Sequence, residues 1–308
     1  MNENDLKWWK WKERADVIST KPIVDPPSVI NKKLELLICK LYKKYHDELH
    51  QLNLHMKQCH ILFPPDLVGV QTCEMENEIN WLLIRHFKPE MVVEMSPCSG
   101  WSSCWILDAL NRNETGKLIS YDILDISAKR VPQVCPYVST TDIWELVVGD
   151  CKKTWDETQH LYEGKQIEYI FIDSDHSEEF AYWYLENVFP KAASNCCFGI
   201  HDMIDTFTGE HFERDKEFVG TIHNKDGNLI QDNKQINEDL AVFQYLKKYN
   251  ISYVNPNTAS ESIVGKKRQK MRLLGQIHNI PSTASGAIFF QSSDKKNCGI
   301  ASSRNKIL

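Results

Sequence analysis

The sequence predicts an α/β protein with a doubly wound, mostly parallel sheet and additional helices at the N-terminus. From residue 91 onward, short apolar runs alternate with helix-length amphipathic stretches, as in strand–helix–strand units. A turn of small residues follows the first strand, and acidic residues follow several others. Ligand sites of open parallel sheets lie at the carboxyl ends of strands, so these positions are the candidate ligand-binding residues.

Hydrophobic patterning places each element. A helix begins near Thr72 and ends before Pro89, where the missing N–H of proline stops it. Two late β-rich runs, 251–254 and 286–291, are predicted to complete the sheet as an antiparallel edge pair. The remaining predicted strands are 91–95, 117–122, 144–148, 168–173 and 196–201, and the remaining helices 101–112, 153–162, 177–189 and 236–249.

The chain is predicted to form an N-terminal helical extension, residues 1–63, and a main domain, residues 64–308. Apolar residues at spacings of three and four make residues 28–60 helical, and these helices are a candidate surface for homo-oligomers. The tryptophans Trp8, Trp9 and Trp11 lie among basic residues, which suits either docking on the main domain or a partner or membrane surface.

Two segments, 203–235 and 255–284, interrupt the alternation of strands and helices and are predicted to be inserted loops. Long irregular segments in a compact domain are usually lids or substrate loops. The second contains the basic residues Lys266, Lys267, Arg268, Lys270 and Arg272, which would favour an acidic acceptor unless they are simply solvated.

Composition excludes several classes of protein. A net charge of −6 and a pI near 6.0 argue against nucleic-acid binding as the main function. No apolar run reaches the length of a membrane span, and the polar N-terminus does not have the pattern of a signal peptide. The 10 cysteines are scattered without a C-x-x-C pair, so we expect a cytoplasmic, reducing location without a zinc site.

The stretch MVVEMSPCSGWSS, residues 91–103, shows a buried strand, a tight turn and a helix start. The strand contains Glu94, the turn contains Ser96, Cys98 and Gly100, and the helix begins at Trp101. Small turn residues allow the backbone N–H groups at the helix start to approach a ligand. The turn is therefore a candidate binding site for a nucleotide-like molecule.

Four consecutive strands then end in acidic residues. The second ends at Asp122, which can accept both hydroxyls of a ribose, with Asp125 as an alternative. The third ends at Gly149 and Asp150, where a carboxylate can accept the exocyclic amine of an adenine. The fourth and fifth strands end in Asp173, Asp175, His176, His201 and Asp202.

The ordered set VVEMSPCSGWSS, SYDILD, VVGD, IDSDHS and GIHDM resembles the class I S-adenosylmethionine (SAM)-dependent methyltransferases, in particular their small-molecule O-methyltransferase-like branch. The resemblance covers residues 66–254 and, more loosely, 286–291. It implies a Rossmann-like, seven-stranded sheet with a reversed last hairpin.

The resemblance also implies which residues hold SAM. The turn and helix start, with Glu94, Ser96, Gly100 and Ser102, would hold the methionine part, Asp122 the ribose, and Gly149 with Asp150 the adenine. Ser96 and Cys98 stand where the family has glycines, and a positive φ angle costs serine and cysteine more than glycine.

The remaining strand-end residues allow two mechanisms. Asp173, Asp175 and Asp202 could bind Mg²⁺, which prefers carboxylate oxygens and would activate an acceptor hydroxyl. Alternatively, His176 or His201 acts as general base beside Asp173 without a metal. Capping and packing roles for these side chains are a third interpretation.

The expected function is methyl transfer from SAM to an oxygen of a small-molecule or sugar-like acceptor. Two alternatives use the same sheet. The first is a nicotinamide-dependent oxidoreductase, against which the missing glycines and the additional strand-end acids count. The second is a non-catalytic protein with the same fold whose N-terminal tryptophans bind a partner.

Overall fold

The structure is a computed structural model. It describes residues 31–63, 74–174, 176–201, 203, 222–223, 229–231, 238–255 and 287–292. Within these ranges, no helix is long and apolar enough to cross a membrane.

A seven-stranded sheet forms the centre of the fold, in the order β3-β2-β1-β4-β5-β9-β8. The strands β1 to β5 are parallel to one another, and β9 pairs antiparallel with both β5 and β8. The predicted fold class, with its reversed last hairpin, is confirmed. The strands of this sheet are β1 Met91–Met95, β2 Lys117–Asp122, β3 Trp144–Val148, β4 Ile167–Ile172, β5 Ala192–Ile200, β8 Tyr253–Val254 and β9 Ile288–Gln291. The short strands β6, Ile222–His223, and β7, Leu229–Gln231, form a separate antiparallel pair.

The helices pack on both faces of the sheet. Their bounds are α1 Lys32–Lys44, α2 His46–Cys59, α3 Glu74–Phe87, α4 Trp101–Asn113, α5 Ile126–Val134, α6 Cys151–Glu157, α7 Glu178–Asn187 and α8 Glu238–Lys248. One apolar core joins α1 to α5 to one face of the sheet, and the other lies between the opposite face and α6 to α8. Burial of these two apolar surfaces is the main force that holds the layers together.

The N-terminal helical stretch consists of two helices separated at Tyr45. The side chain of Asn31 caps α1 by accepting the Leu34 N–H at 3.0 Å, as an N-cap residue does. The Asn31 N–H donates to the Tyr253 carbonyl at 3.0 Å, so α1 begins at the antiparallel edge of the sheet.

Helix α5 lies in a region where the sequence pattern predicts no element. It contains Pro132, which removes a backbone donor and normally interrupts a helix. Its apolar face is short, with Val131 and Val134 buried against the neighbouring helices. Tertiary packing, rather than intrinsic helix propensity, therefore holds this segment.

Several predicted features lie outside the described residues. They are the three N-terminal tryptophans, the basic residues of 255–284, most of the 203–235 segment, and both Asp175 and Asp202. The division into residues 1–63 and 64–308 stays a prediction.

Candidate functional site

The carboxyl ends of five parallel strands meet along one edge of the sheet. Backbone hydrogen bonds join each turn to a neighbouring strand end: Ser96 N–H to the Tyr121 carbonyl (2.7 Å), Gly149 N–H to the Asp122 carbonyl (2.7 Å), Asp173 N–H to the Met95 carbonyl (3.2 Å) and His201 N–H to the Ile172 carbonyl (2.9 Å). The chain adds β2 and β3 on one side of β1, and then β4 and β5 on its other side. The order of the strands therefore reverses between β1 and β4, and such a switch point is where open α/β sheets bind ligands. The predicted site residues at these strand ends are therefore brought to one edge.

The turn after β1 has the backbone geometry of a glycine-rich turn without most of the glycines. Ser96 has a φ angle of 61° and Cys98 a φ angle of 50°, both in the left-handed region that disfavours side chains with a Cβ. Gly100, with φ of 86°, cannot take a Cβ, since that atom would lie 2.5 Å from Val131 Cγ2 and 3.0 Å from Ser127 Cβ. Gly100 therefore allows α5 to pack against the start of α4.

Glu94 lies inside the fold beneath this turn. It is 0% exposed, and its oxygens accept the hydroxyls of Ser102 (2.6 Å), Ser103 (2.6 Å) and Ser120 (2.7 Å). Burial raises the pKa of Glu94, and the three serine donors oppose that rise. Glu94 and Ser102, both predicted to bind the cofactor, are thus hydrogen-bonded to each other. Through the three serines, Glu94 connects β1 to α4 and to β2. The carboxylate therefore holds the turn between β1 and α4 in position from inside the fold.

Asp122, the predicted ribose ligand, holds the same turn from the side. Its Oδ2 accepts the Cys98 N–H at 2.7 Å, and its Oδ1 accepts the Leu124 N–H at 2.9 Å. Burial raises the pKa of Asp122, while these backbone donors and the Ile123 N–H lower it. The carboxylate at the end of β2 is therefore oriented by the backbone on both sides.

The ends of β2 and β3 present apolar surface beside this carboxylate. Ile123 is 42% exposed and Val148 is 50% exposed, and Val148 pairs with Asp122 in the register of the two strands. Gly149 has a φ angle of 142°. The predicted adenine ligand Asp150 caps α6 by accepting the Lys152 N–H at 3.0 Å, and 45% of its side chain is exposed.

A partly buried histidine–carboxylate pair lies at the end of β4. The Nδ1 atom of His176 is 2.7 Å from Oε2 of Glu238, which also accepts the Tyr184 hydroxyl at 2.9 Å through Oε1. The Nε2 atom of His176 lies 3.7 Å from Asp173 Oδ1, longer than a normal hydrogen bond. His176 itself has a φ angle of 54°, and strained backbone of this kind concentrates at functional sites.

A second pair of the same kind lies at the end of β5. The Nδ1 atom of His201 is 2.7 Å from Oε2 of Glu76, and the rings of His201 and His176 are 6.0 Å apart. The side chain of His201 is 4% exposed, against 17% for His176. The two histidines lie beside each other at the carboxyl ends of β4 and β5, and the side chain of His176 is the more exposed of the two.

The carboxylate partners Glu76 and Glu238 are absent from the sequence-predicted site. They lie 125 and 62 residues from their histidines, on helices α3 and α8. Glu76 lies in the first turn of its helix, where an acidic residue is ordinary, and no local pattern marks Glu238. Only the tertiary fold brings these residues to the strand ends.

The predicted metal site cannot be assembled from the described residues. Asp173 is described, but Asp175 and Asp202 are not. Among the residues that the structure covers, no group of three histidine, cysteine or acidic side chains could hold a metal ion. The magnesium site therefore stays a prediction, and no catalytic step is derived from it.

Comparison with known proteins agrees with the fold. Residues 93–203 match the family model described as a methyltransferase domain, a stretch that runs from within β1 to just beyond β5. A search among curated proteins gives no significant match. Similarity to a methyltransferase domain therefore extends over residues 93–203 of this chain, which contain the parallel strands β2 to β5 and the end of β1.

Among solved structures, the chain is similar to several methyltransferases at low sequence identity. The O-methyltransferase TomG from Streptomyces achromogenes, in complex with SAM, is 11% identical, with a TM-score of 0.47 over 87% of this chain and 92% of that one. An O-methyltransferase from Bacillus cereus in complex with SAH is 11% identical, with a TM-score of 0.48 over 78% and 90%. The SAH-bound Podospora anserina methyltransferase PaMTH1 is 11% identical, with a TM-score of 0.43 over 88% and 100%.

Proposed function

We propose that this protein transfers the methyl group of SAM to an oxygen of a small-molecule acceptor, with His176 as the general base. The observation that carries the proposal is the 2.7 Å contact between His176 Nδ1 and Glu238 at the end of β4, next to the predicted cofactor turn. A histidine fixed in this way by a buried carboxylate is suited to accept a proton at its other nitrogen.

The residues at the ends of β1 to β3 fit the parts of SAM. The oriented carboxylate of Asp122 would accept the ribose hydroxyls, and the exposed side chains of Ile123 and Val148 offer apolar contact to the flat adenine. Gly149 and Asp150 lie at the rim of this surface. When bound, SAM supplies an electrophilic methyl group on its sulfonium.

The chain itself would supply orientation and proton removal. The acceptor hydroxyl would lose its proton to Nε2 of His176, while Glu238 accepts the hydrogen bond from Nδ1–H and stabilises the imidazolium that forms. Asp173, 3.7 Å from Nε2, adds a second negative charge beside it. His201 with Glu76 would line the same region and assist in holding the acceptor.

The experiment that tests the proposal has a binding arm and a transfer arm. In the binding arm, S-adenosylhomocysteine (SAH) should raise the melting temperature of the full chain and NAD should not. The reverse result would favour the nicotinamide-dependent oxidoreductase. In the transfer arm, labelled methyl from SAM should appear on hydroxyl-containing small molecules, and binding of SAH without transfer to any of a broad acceptor panel would favour the non-catalytic interpretation.

The role of magnesium is decided by the same transfer assay. With His176 as base, we expect turnover to survive a metal chelator and to be lost in His176→Ala. Loss of turnover on chelation, restored by Mg²⁺, would support the metal interpretation that involves Asp173, Asp175 and Asp202.

A further inference from the structure

Arg130, on α5, is a buried cation without a counter-ion in the described part of the chain. It is 9% exposed, and its Nη1 atom is buried with no hydrogen-bond partner. Its one aromatic contact is with Phe63, whose ring centroid lies 6.0 Å from the guanidinium carbon. A guanidinium carries five N–H donors, so most of its bonding capacity is unused here.

An arrangement of this kind is unfavourable unless something else binds to it. Burial of an ion without a partner carries a large desolvation penalty, and a guanidinium cannot escape it by losing its proton. The face of Phe63 offers a weak cation–π attraction, which does not replace a negative charge. No described residue supplies that negative charge, so an anionic ligand would complete the environment of Arg130.

The position of Arg130 indicates which anion fits. Helix α5 packs directly on the turn after β1, as the contacts of Gly100 with Ser127 and Val131 show. The charge of Arg130 also acts on the thiol of Cys98 in that turn. Burial, Asp122 and Asp173 raise the pKa of Cys98 to about 12, and Arg130 opposes that rise.

Two further buried atoms near this turn lack hydrogen-bond partners, namely Ser127 Oγ and Trp101 Nε1. Ser127 is next to Gly100, and Trp101 is the first residue of α4. Trp101 also packs edge-on against Phe63, with ring centroids 5.0 Å apart. Three unsatisfied buried atoms, of Arg130, Ser127 and Trp101, therefore lie on the α5 side of the turn, whereas Asp122 on its other side already accepts two backbone N–H groups.

We propose that Arg130 binds the α-carboxylate of the methionine part of SAM and of SAH. This inference rests on the proposed function, because it assigns one end of the same cofactor. The planar fork of a guanidinium matches a carboxylate bidentately. In a glycine-rich turn, backbone N–H groups hold this end of the cofactor. In this chain serine and cysteine stand where the family has two of these glycines, and the Arg130 guanidinium would bind the carboxylate in addition to the backbone.

The test compares SAH with its decarboxylated analogue, which lacks only the carboxylate, by calorimetry on the full chain. The wild-type protein should bind SAH at least about tenfold more tightly. In Arg130→Met, the affinity for SAH should fall to that of the analogue, and the affinity for the analogue should stay the same. Arg112→Gln serves as the control, since Arg112 pairs with Asp108 at 2.7 Å and should leave both affinities unchanged.

Thermal unfolding without ligand provides an independent readout. Because Arg130→Met removes an unpaired buried charge and keeps an apolar stem, its melting temperature should equal or exceed that of the wild type. A lower melting temperature together with equal loss of both ligands would show that Arg130 is structural and would overturn the proposal. Equal binding of SAH and its analogue by the wild type would overturn it as well, while the proposed function would stand. Binding of neither ligand by the wild type would remove the proposed function and this inference together.

Discussion

His176 and Glu238 form a partly buried hydrogen bond of 2.7 Å between Nδ1 and Oε2 that links the end of β4 to the start of α8. Glu238 is 2% exposed, and its N–H donates to the His176 carbonyl at 3.0 Å. One side-chain and one backbone hydrogen bond thus join the same two residues. Glu238 also lies beyond residues 93–203, which match the methyltransferase-domain model, so the residue proposed to position His176 belongs to a helix outside the matched stretch.

The first prediction concerns this pair. In Glu238→Gln, the negative charge that favours the protonated imidazole is lost. We expect kcat to fall about tenfold or more, less than in His176→Ala, because a positioned base contributes roughly 10²–10⁴. The acid limb of the pH–rate profile should shift to lower pH, which steady-state kinetics over a pH series would measure.

Tyr184→Phe is the matched control for Glu238→Gln. It removes the other side-chain hydrogen bond to Glu238, at 2.9 Å, but keeps the carboxylate charge. Its acid limb should stay in place. If both variants lose the same activity with unshifted pH profiles, Glu238 supports the fold alone and does not tune His176.

The second prediction concerns Asp122. Asp122→Ala would leave the N–H groups of Cys98 and Leu124 without their acceptor, so it weakens the turn and the ligand contact together. Asp122→Asn removes the charge and one of the two acceptor oxygens, but keeps the other oxygen and the size of the side chain. We expect its affinity for SAH to fall at least tenfold, about 1.4 kcal/mol, in calorimetry.

Asp125→Asn tests the sequence-based alternative for the ribose ligand. Asp125 is exposed and makes no side-chain cap to α5, so its variant should bind SAH as tightly as the wild type. Loss of affinity in Asp125→Asn alone would transfer the ribose role to that residue.

The third prediction concerns strain in the turn after β1. Because Cys98 has a φ angle of 50°, Cys98→Gly should relieve a left-handed penalty of about 1–2 kcal/mol, offset by the greater freedom of glycine in the unfolded chain. We expect a net gain of roughly 0.5–1 kcal/mol in the free energy of unfolding, measured by denaturant titration. SAH affinity should not decrease.

Two other positions calibrate this result. Glu163 has a φ angle of 52° on the surface, far from the site, and Glu163→Gly should gain a similar amount. Gly100→Ala should lose roughly 1–3 kcal/mol through overpacking against Val131, since the new Cβ would lie 2.5 Å from its side chain. A destabilised Cys98→Gly beside a stabilised Glu163→Gly would mean that the thiol packs too well to be lost.

Much of the fold follows from local sequence pattern, because each sheet strand is a short apolar run that ends in a turn. Strands β1, β2 and β3 lie where the pattern predicts them. The pattern could not find α5, where Pro132 interrupts the helical signal, or the early start of β5 at Ala192. Helix α5 forms because it packs against the start of α4, and β5 begins early because Ala192 pairs with Ile167 in β4.

The candidate site, too, contains residues that can be predicted from the sequence and residues that cannot. Acidic residues that follow strands can be found from sequence, since the strand end itself places Asp122 and Asp173. The partners Glu76 and Glu238 could not be found, and neither could Arg130, which has no counter-ion among the described residues, because their importance depends on helices that pack from distant parts of the chain. Burial without a counter-ion, which singles out Arg130, is a property of the folded structure alone.

The last prediction concerns pH and Glu94. Burial raises the pKa of Glu94 above its ordinary value of 4.5, so between that value and the folded-state pKa the native protein binds more protons than the unfolded chain. Stability should therefore fall as pH rises through this window and should show no slope from this group below pH 4.5. Glu94→Gln removes the titration, so its stability, measured by urea unfolding at each pH, should decline less over the same range. Ser103→Ala is the control, because it deletes one of the three donors that oppose the rise in the Glu94 pKa. In this variant the pKa of Glu94 should rise further, so the pH range over which stability falls should extend to higher pH.

Parallel curves of stability against pH for the wild type and Glu94→Gln would contradict the prediction. They would show that the serine donors keep Glu94 ionised in the native state throughout.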